Sequence, residues 1–299
     1  MDINWYPGHM AKAKRLLGEQ LQRVDLVIEL CDARLPFSSR NPDLNRMIGK
    51  RNRILLLNKA DLADPEISRK WVSFFREQGL ETALVQARSL KPKEALSTIE
   101  KKTRDAVEKA SERGIRKTVR AMVVGVPNVG KSTYINRLHG GSIARTGDHP
   151  GVTRSNQWIK ISPYLELLDT PGLLWPRLDD PLAARRLSYL GTIRDDILDL
   201  EELTLFLLND LIQIAPQSVA DRFHLEDTTL RGLPLLDAVC RGRGFLMKGN
   251  TCDYERCCSV VLDEFRAGLL GRITLETPDR REENGESEQA GKSTVTDDI

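Results

Sequence analysis

The sequence predicts an α/β fold: a three-layer domain on a mostly parallel sheet, with a smaller all-α domain behind it. Three observations lead there. Apolar, β-rich runs alternate with segments of helical period as far as about Leu168. One of those runs, VRAMVVGV (Val119–Val126), feeds a glycine-bearing loop that opens a helix, GVPNVGKST at Gly125–Thr133. From about Pro176 the alternation stops, and LAARRLSYLG, ILDLEELTLFLLNDLIQIA and VVLDEFRAGLLG carry helical periods only.

The elements follow in chain order. His9 to Arg23 has helical spacing, with Leu16, Leu17 and Leu21 on one side and Lys12, Lys14, Arg15 and Arg23 around it. VDLVIELCD (Val24–Asp32) reads as a buried strand and LPFSSRNP (Leu35–Pro42) as a loop, from its Pro and Ser content. Arg53–Asn58 is the next strand, and Pro65 sits in the first turn of a helix that runs to about Gln78. Glu81–Gln86 is a short strand, and the charged segment Lys91–Lys117 reads as a connecting helix. Ser132–Leu138 opens the helix after the glycine loop, while Gln157–Ile161 and Leu165–Leu168 form a strand pair ending at Asp169. The expected units are a basic N-terminal segment 1–23, an α/β domain 24–178, an α-helical domain 179–276 and an acidic tail 277–299. The tail has almost no apolar residues and is expected to be disordered.

The 299 residues, 40% hydrophobic and 29% charged, suit one large and one smaller globular domain. No apolar run approaches the roughly 18 residues needed to span a bilayer. The N-terminus MDINWYPGHMAKAK lacks the apolar core of a signal peptide, so a cytoplasmic location and no membrane partner are expected. The net charge of +2 divides unevenly: the tail from Thr277 has seven acids and three bases, a net of −4, which leaves +6 on residues 1–276. A moderately basic body suits an anionic partner such as RNA. The cysteines Cys31, Cys240, Cys252, Cys257 and Cys258 include no C-x-x-C and read as reduced structural thiols.

Three motifs carry chemistry. Gly125–Ser132 matches G-x-x-x-x-G-K-S in the strand–loop–helix context of a phosphate loop. Small residues there let backbone N–H groups from Asn128, Val129 and Gly130 into the turn at Thr133 curl around phosphate oxygens. Lys131 places a cation on the β- and γ-phosphates, Ser132 offers a hydroxyl to Mg²⁺, and the helix N-terminus adds a favourable dipole. In Asp169-Thr170-Pro171-Gly172, Asp169 can hold Mg²⁺ through a water and the Gly172 N–H can meet the γ-phosphate. In Asn58-Lys59-Ala60-Asp61, the Asp61 carboxylate can accept from N1–H and the N2 amino group of guanine, and the Lys59 stem can cover one ring face. Adenine offers no such donor pair and would leave a charge unpaired, which excludes ATP. Thr153, between the phosphate loop and D-T-P-G, is the candidate switch threonine for Mg²⁺. In Ala87-Arg88-Ser89, which departs from the usual Ser-Ala pattern, the Ala87 backbone N–H is the expected donor to guanine O6.

The base reader precedes the phosphate loop, whereas an ordinary GTPase begins with the loop and ends with the reader. Moving the C-terminal part to the front gives this order, and a sheet tolerates it because strand adjacency defines a sheet and domain termini lie close together. The fold expected is therefore a circularly permuted P-loop GTPase domain, with Lys91–Lys117 joining the old ends. Through WYPGHMAKAKR, DARLPFSSRNP, LLLNKADL, GVPNVGKSTYINRL, TGDHPGVTR and LLDTPGLLWP, the chain resembles the circularly permuted ribosome-assembly GTPases of the RbgA (YlqF) type. These stretches cover most of residues 1–180; GFLMKGN extends the likeness into the helical region, and the tail lies outside it. The resemblance implies GTP hydrolysis to GDP coupled to late assembly of the large (50S) ribosomal subunit, with that particle and its rRNA as partners. A monomer is the default for the free protein.

The residues after Gly172 are Leu173 and Leu174, which cannot orient water as a glutamine does in Ras-like enzymes. His9, in Pro7-Gly8-His9-Met10, is the candidate to orient the water, with a structural or RNA-contacting role as its alternative. Asn128, in a GxPNxGKS context, is a candidate ligand for a K⁺ ion standing in for an arginine finger. RNA contacts are expected from Lys12, Lys14, Arg15, Arg185, Arg186, Arg241, Arg243 and Lys248, with Arg241-Gly242-Arg243-Gly244 read as a flexible basic loop. D-T-P-G leads straight into the helical domain, so the γ-phosphate state is expected to reposition that domain. The competing functions are a nucleotide-dependent RNA-binding clamp with little catalysis and a GTPase of tRNA modification or membrane traffic. The last has no lipidation or cofactor motif behind it.

Overall fold

The computed structural model describes residues 15–49, 51–144, 157–170 and 181–279. Strand β1 (Leu26–Asp32) is buried at every position and β2 (Asn52–Asn58) at all but its first. Continuous apolar runs of this kind belong to a sheet covered on both faces. Beyond them lie β3 (Glu81–Leu84), β4 (Val119–Val124), β5 (Gln157–Ser162) and β6 (Leu165–Asp169). The sheet order is β3-β2-β1-β4-β6-β5, parallel throughout except for the β5–β6 hairpin.

Alternate residues of β1 feed two helical layers. Leu26, Ile28 and Leu30 share a core with Ile99 of α4 (Pro92–Ser111) and Tyr134, Ile135 and Leu138 of α5 (Lys131–His139). On the other face, Val27 meets Leu17 and Leu21 of α1 (residues 15–21) and Leu44 and Ile48 of α2 (Pro42–Ile48). Cys31 meets Trp71 and Phe75 of α3 (Pro65–Glu77). Glu29 of β1 is fully buried and held between Arg40 and Arg53, which is the condition for burying a carboxylate. The three-layer expectation holds.

The sheet also shows how the inverted motif order is accommodated. Strands β1, β2 and β3 step outward from the centre, and the chain then returns through α4 so that β4 pairs with the free side of β1. From there β6 and β5 step outward the other way. The β1–β4 boundary is a topological switch point, and in open α/β sheets the ligand crevice forms at the carboxyl ends of the strands there.

The second unit contains α6 (Pro181–Tyr189), a 3₁₀ turn at Asp195–Ile197, α7 (Leu200–Ile214), α8 (Pro216–Phe223), α9 (Gly232–Gly242) and α10 (Tyr254–Ala267). Leu203, Leu207, Leu211, Phe223, Leu235, Val239, Val261 and Phe265 fill its core, and Leu35 from the α/β domain joins them. Among the described residues no helix is long and apolar enough to cross a membrane. All five cysteines are free and buried.

Three sequence readings are corrected. The loop expected over Leu35–Pro42 stops one residue short, because Pro42 opens α2, at a first helical turn where its missing N–H does no harm. Leu16 is 41% exposed, so it does not share the buried side of Leu17 and Leu21. Arg241-Gly242-Arg243-Gly244 is not a flexible loop: Arg241 and Gly242 close α9, and the Arg243 N–H donates to Val239 O. A Cβ on Gly242 would stand 2.1 Å from Phe223 O, so glycine is what lets α9 approach the end of α8. The last helix of the second unit, α10, ends at Ala267. From Gly268 the chain runs as a strap along the α/β domain, with Ile273 N donating to Leu62 O (3.1 Å) and Leu275 N to Arg34 O (2.9 Å).

Candidate functional site

Strand β2 ends at Asn58, and the chain turns at once through Lys59, whose φ is +59°. Asp64 then caps α3, its side chain accepting from Glu66 N and Ile67 N. Strand β4 ends at Val124 and the phosphate loop follows, closing on α5 at Gly130 (φ +95°). These two ends lie far apart in the sequence, and the buried Asn58 side chain joins them. Its Nδ2 donates to Val129 O in the phosphate loop (2.7 Å), and its Oδ1 accepts the Ala87 N–H from the loop after β3 (2.9 Å). A Cβ on Gly130 would lie 2.4 Å from that Nδ2, so glycine is required there on both conformational and steric grounds.

This geometry corrects the reading of Ala87. Its N–H is taken by Asn58, so Ala87 holds the loop and does not offer that donor to a base. Asp61 is exposed. Ala60 N donates to Val85 O, which pins the reader loop to the strand-end loop.

Lys131 is buried at the head of α5, with Nζ donating to Gly125 O (3.1 Å) and Val126 O (2.9 Å). Burial pulls its ammonium down to about 8, and Asp169 offsets part of that. Asp169 ends β6 opposite Val123 of β4, and Thr170 Oγ1 donates to Val123 O (2.6 Å). Ser132 stands in the first turn of α5. A hydroxyl at the amino end of α5 and a carboxylate at the carboxyl end of β6 are the all-oxygen donors that suit Mg²⁺. His9, Lys12, Lys14, Thr153 and Gly172 lie outside the described residues.

Lys131 supplies a pH test. Phosphate oxygens brought beside it stabilise its charged form, so its bound-state value lies above the free value of about 8. GDP binding is therefore expected to take up a proton above pH ~8 and to weaken as pH rises through that value. Calorimetry in buffers of different ionisation enthalpy reads the uptake directly.

Asn128, at φ +63°, donates from Nδ2 to the carbonyl of Gly191 in the turn after α6. Arg266 of α10 holds the same turn through Tyr189 O (3.1 Å) and Ser188 O (3.2 Å), and pairs with Asp195 (2.6 and 2.7 Å). The phosphate loop thus touches the helical domain directly. Of the basic candidates, Arg15, Arg241 and Lys248 are exposed and Arg185 stacks 3.7 Å from the Phe206 ring centroid. Arg186 reaches Glu276 (3.3 Å) and Arg243 reaches Glu264 (2.9 Å), so both are engaged within the fold.

Sequence reasoning missed Asp32 and Arg34. Asp32 pairs with Asn58 in the β1–β2 register, and its carboxylate binds Lys59 Nζ (3.1 Å) and the Arg34 guanidinium (2.9 and 2.8 Å). The available signal was a charged D-A-R at the end of a mostly apolar strand.

A family model described as 50S ribosome-binding GTPase matches residues 120–229. The chain is 43% identical to ribosome biogenesis GTPase A of Bacillus cereus, over 93% of this chain and 95% of that protein. It is 41% identical to ribosome biogenesis GTPase A of Priestia megaterium, over 95% and 99%. Among solved structures it is similar to a GDP-bound YlqF at 28% identity with a TM-score of 0.64, covering 89% of this chain and all of that one (100%).

Proposed function

The chain belongs to the ribosome biogenesis GTPase A family, and we propose that this GTP hydrolase of ribosome assembly works on the large, 50S, subunit and turns over faster on that particle. The observation that carries the reading is the Asn58 bridge. It ties the end of β2 to the loops after β4 and β3 at the carboxyl ends of the strands, which supports reading them as one nucleotide site.

In this reading each group has a task. Asp61 accepts from guanine N1–H and N2, while the Lys59 stem covers a ring face. The amides of Asn128–Thr133 cradle the phosphates, Lys131 offsets their charge, and Ser132, Asp169 and Thr153 hold Mg²⁺, which supplies charge neutralisation at the phosphates when bound. Gly172 senses the γ-phosphate, His9 orients the attacking water, and Asn128 would help hold a K⁺ ion, which would supply the charge that an arginine finger brings elsewhere. The protein acts as a cytoplasmic monomer, and Lys12, Lys14, Arg15, Arg185, Arg241 and Lys248 contact rRNA phosphates. Arg186 and Arg243 serve first as ion-pair partners of Glu276 and Glu264.

Co-sedimentation with purified 50S subunits tests this. Binding is expected with a non-hydrolysable GTP analogue and release with GDP. Equal binding in both states would oppose the reading.

A further inference from the structure

Asp32 and Arg34 have no part in the nucleotide chemistry above, yet both are buried and they reach the base reader. Asp32 Oδ1 accepts from Arg34 N (3.1 Å) and Nε (2.9 Å), and Oδ2 accepts from Arg34 Nη2 (2.8 Å) and Lys59 Nζ (3.1 Å). Arg34 spends its remaining Nη1 on Phe265 O (2.9 Å) and Arg266 O (3.2 Å), the last turn of α10, where the helix dipole favours a cation. The guanidinium also sits 5.1 Å from the centroid of the Phe265 ring. Lys59 carries a positive φ that L side chains rarely adopt, and its ammonium is turned onto Asp32.

We propose that Asp32 is a positioning residue of the guanine site: it anchors the Lys59 ammonium so that the Lys59 stem is set against the base, with Arg34 fixing Asp32 from the end of α10. The proposal rests on the reading of Asn58–Asp61 as the guanine reader. A free lysine stem samples many rotamers, and ordering it on binding subtracts from affinity. Anchored at its backbone and at its ammonium, the stem is ordered before a base arrives. The anchor is itself rigid, because Asp32 ends a central strand in register with Asn58 and two further groups hold its carboxylate. Burial alone raises the Asp32 carboxyl, but the Arg34 and Lys59 charges outweigh it and hold it well below the usual range, so the anchor stays ionised. Because Arg34 is seated on α10, the helical domain contributes to the ordering of a base contact through Asp32.

The test is GDP titration of the full chain. Asp32→Asn is expected to weaken GDP binding roughly tenfold, the scale of one charge-assisted contact. In a Lys59→Met background the same substitution is expected to change affinity less than about twofold, because no ammonium remains to be positioned. Equal tenfold losses in both backgrounds would assign Asp32 to general support of the fold and overturn the proposal, as would an unchanged affinity in Asp32→Asn alone. Asp32→Glu keeps a charge for Arg34 and serves if Asp32→Asn does not fold; it is expected to weaken GDP in the native background only. Asp61→Asn separates this from the underlying reading: exchanging an acceptor for a donor is expected to shift preference from GDP to XDP. No such shift would remove the guanine reader itself, and the proposal with it.

Discussion

Asn58→Ala is expected to weaken GDP and GTP binding about 100-fold. The substitution strips a donor from Val129 O and an acceptor from Ala87 N, at a position only 2% exposed where water cannot replace them. Two buried hydrogen-bonding groups left unmade cost about 3 kcal/mol together, and ~1.4 kcal/mol is a factor of ten in affinity. The loss falls on binding because the two freed groups belong to the phosphate loop and to the loop beside the base reader. Asn58→Asp is expected to fall between, keeping the acceptor for Ala87 while setting a carboxylate against the Val129 carbonyl. Fluorescent GDP titration measures both variants, and a change smaller than about threefold in Asn58→Ala would be inconsistent with the bridge.

Arg34→Ala is expected to give the largest loss of stability, about 3–5 kcal/mol, the range for breaking a buried ion pair by removing one partner. Arg34 is 1% exposed, and its removal leaves Asp32 with Lys59 alone and frees the carbonyls of Phe265 and Arg266. The helical domain has a core of its own, so the damage is expected to concentrate where it docks. Hydrogen exchange should accelerate in the strap, at Ile273 and Leu275, before it does in α7. Urea unfolding gives the stability change, and a shift below about 1 kcal/mol would show that the guanidinium is replaceable.

The strands were legible because β1, β2 and β4 are nearly continuous apolar runs between turn signals, and a sheet covered on both faces demands that composition. The nucleotide motifs were legible because their residue types are imposed by chemistry, and their spacing placed Asn58 and Asp169 at strand ends and Lys131 at the head of a helix. Helices α8 and α9 were not resolved, being short elements whose apolar residues merge into the long helical pattern around them. The strap was invisible because Ile273–Glu276 is held by scattered contacts, among them those to Leu62, Asp64, Arg34, Phe37, Ser38 and Trp71, partners more than 200 positions away in the chain. Ala87 was misassigned for a related reason: sequence places its N–H beside the base but does not show that Asn58 already occupies it. Likewise, the charges of Arg186 and Arg243 suggested surface contacts, and only the fold shows the carboxylates waiting for them.

GTP turnover with and without purified 50S subunits, in K⁺ buffer, tests the central claim most directly. The account predicts slow turnover by the free protein and a large rise on the particle. Turnover that stays flat with both mature 50S subunits and immature large-subunit particles, while GTP-dependent binding to them persists, would contradict it and leave a nucleotide-dependent clamp.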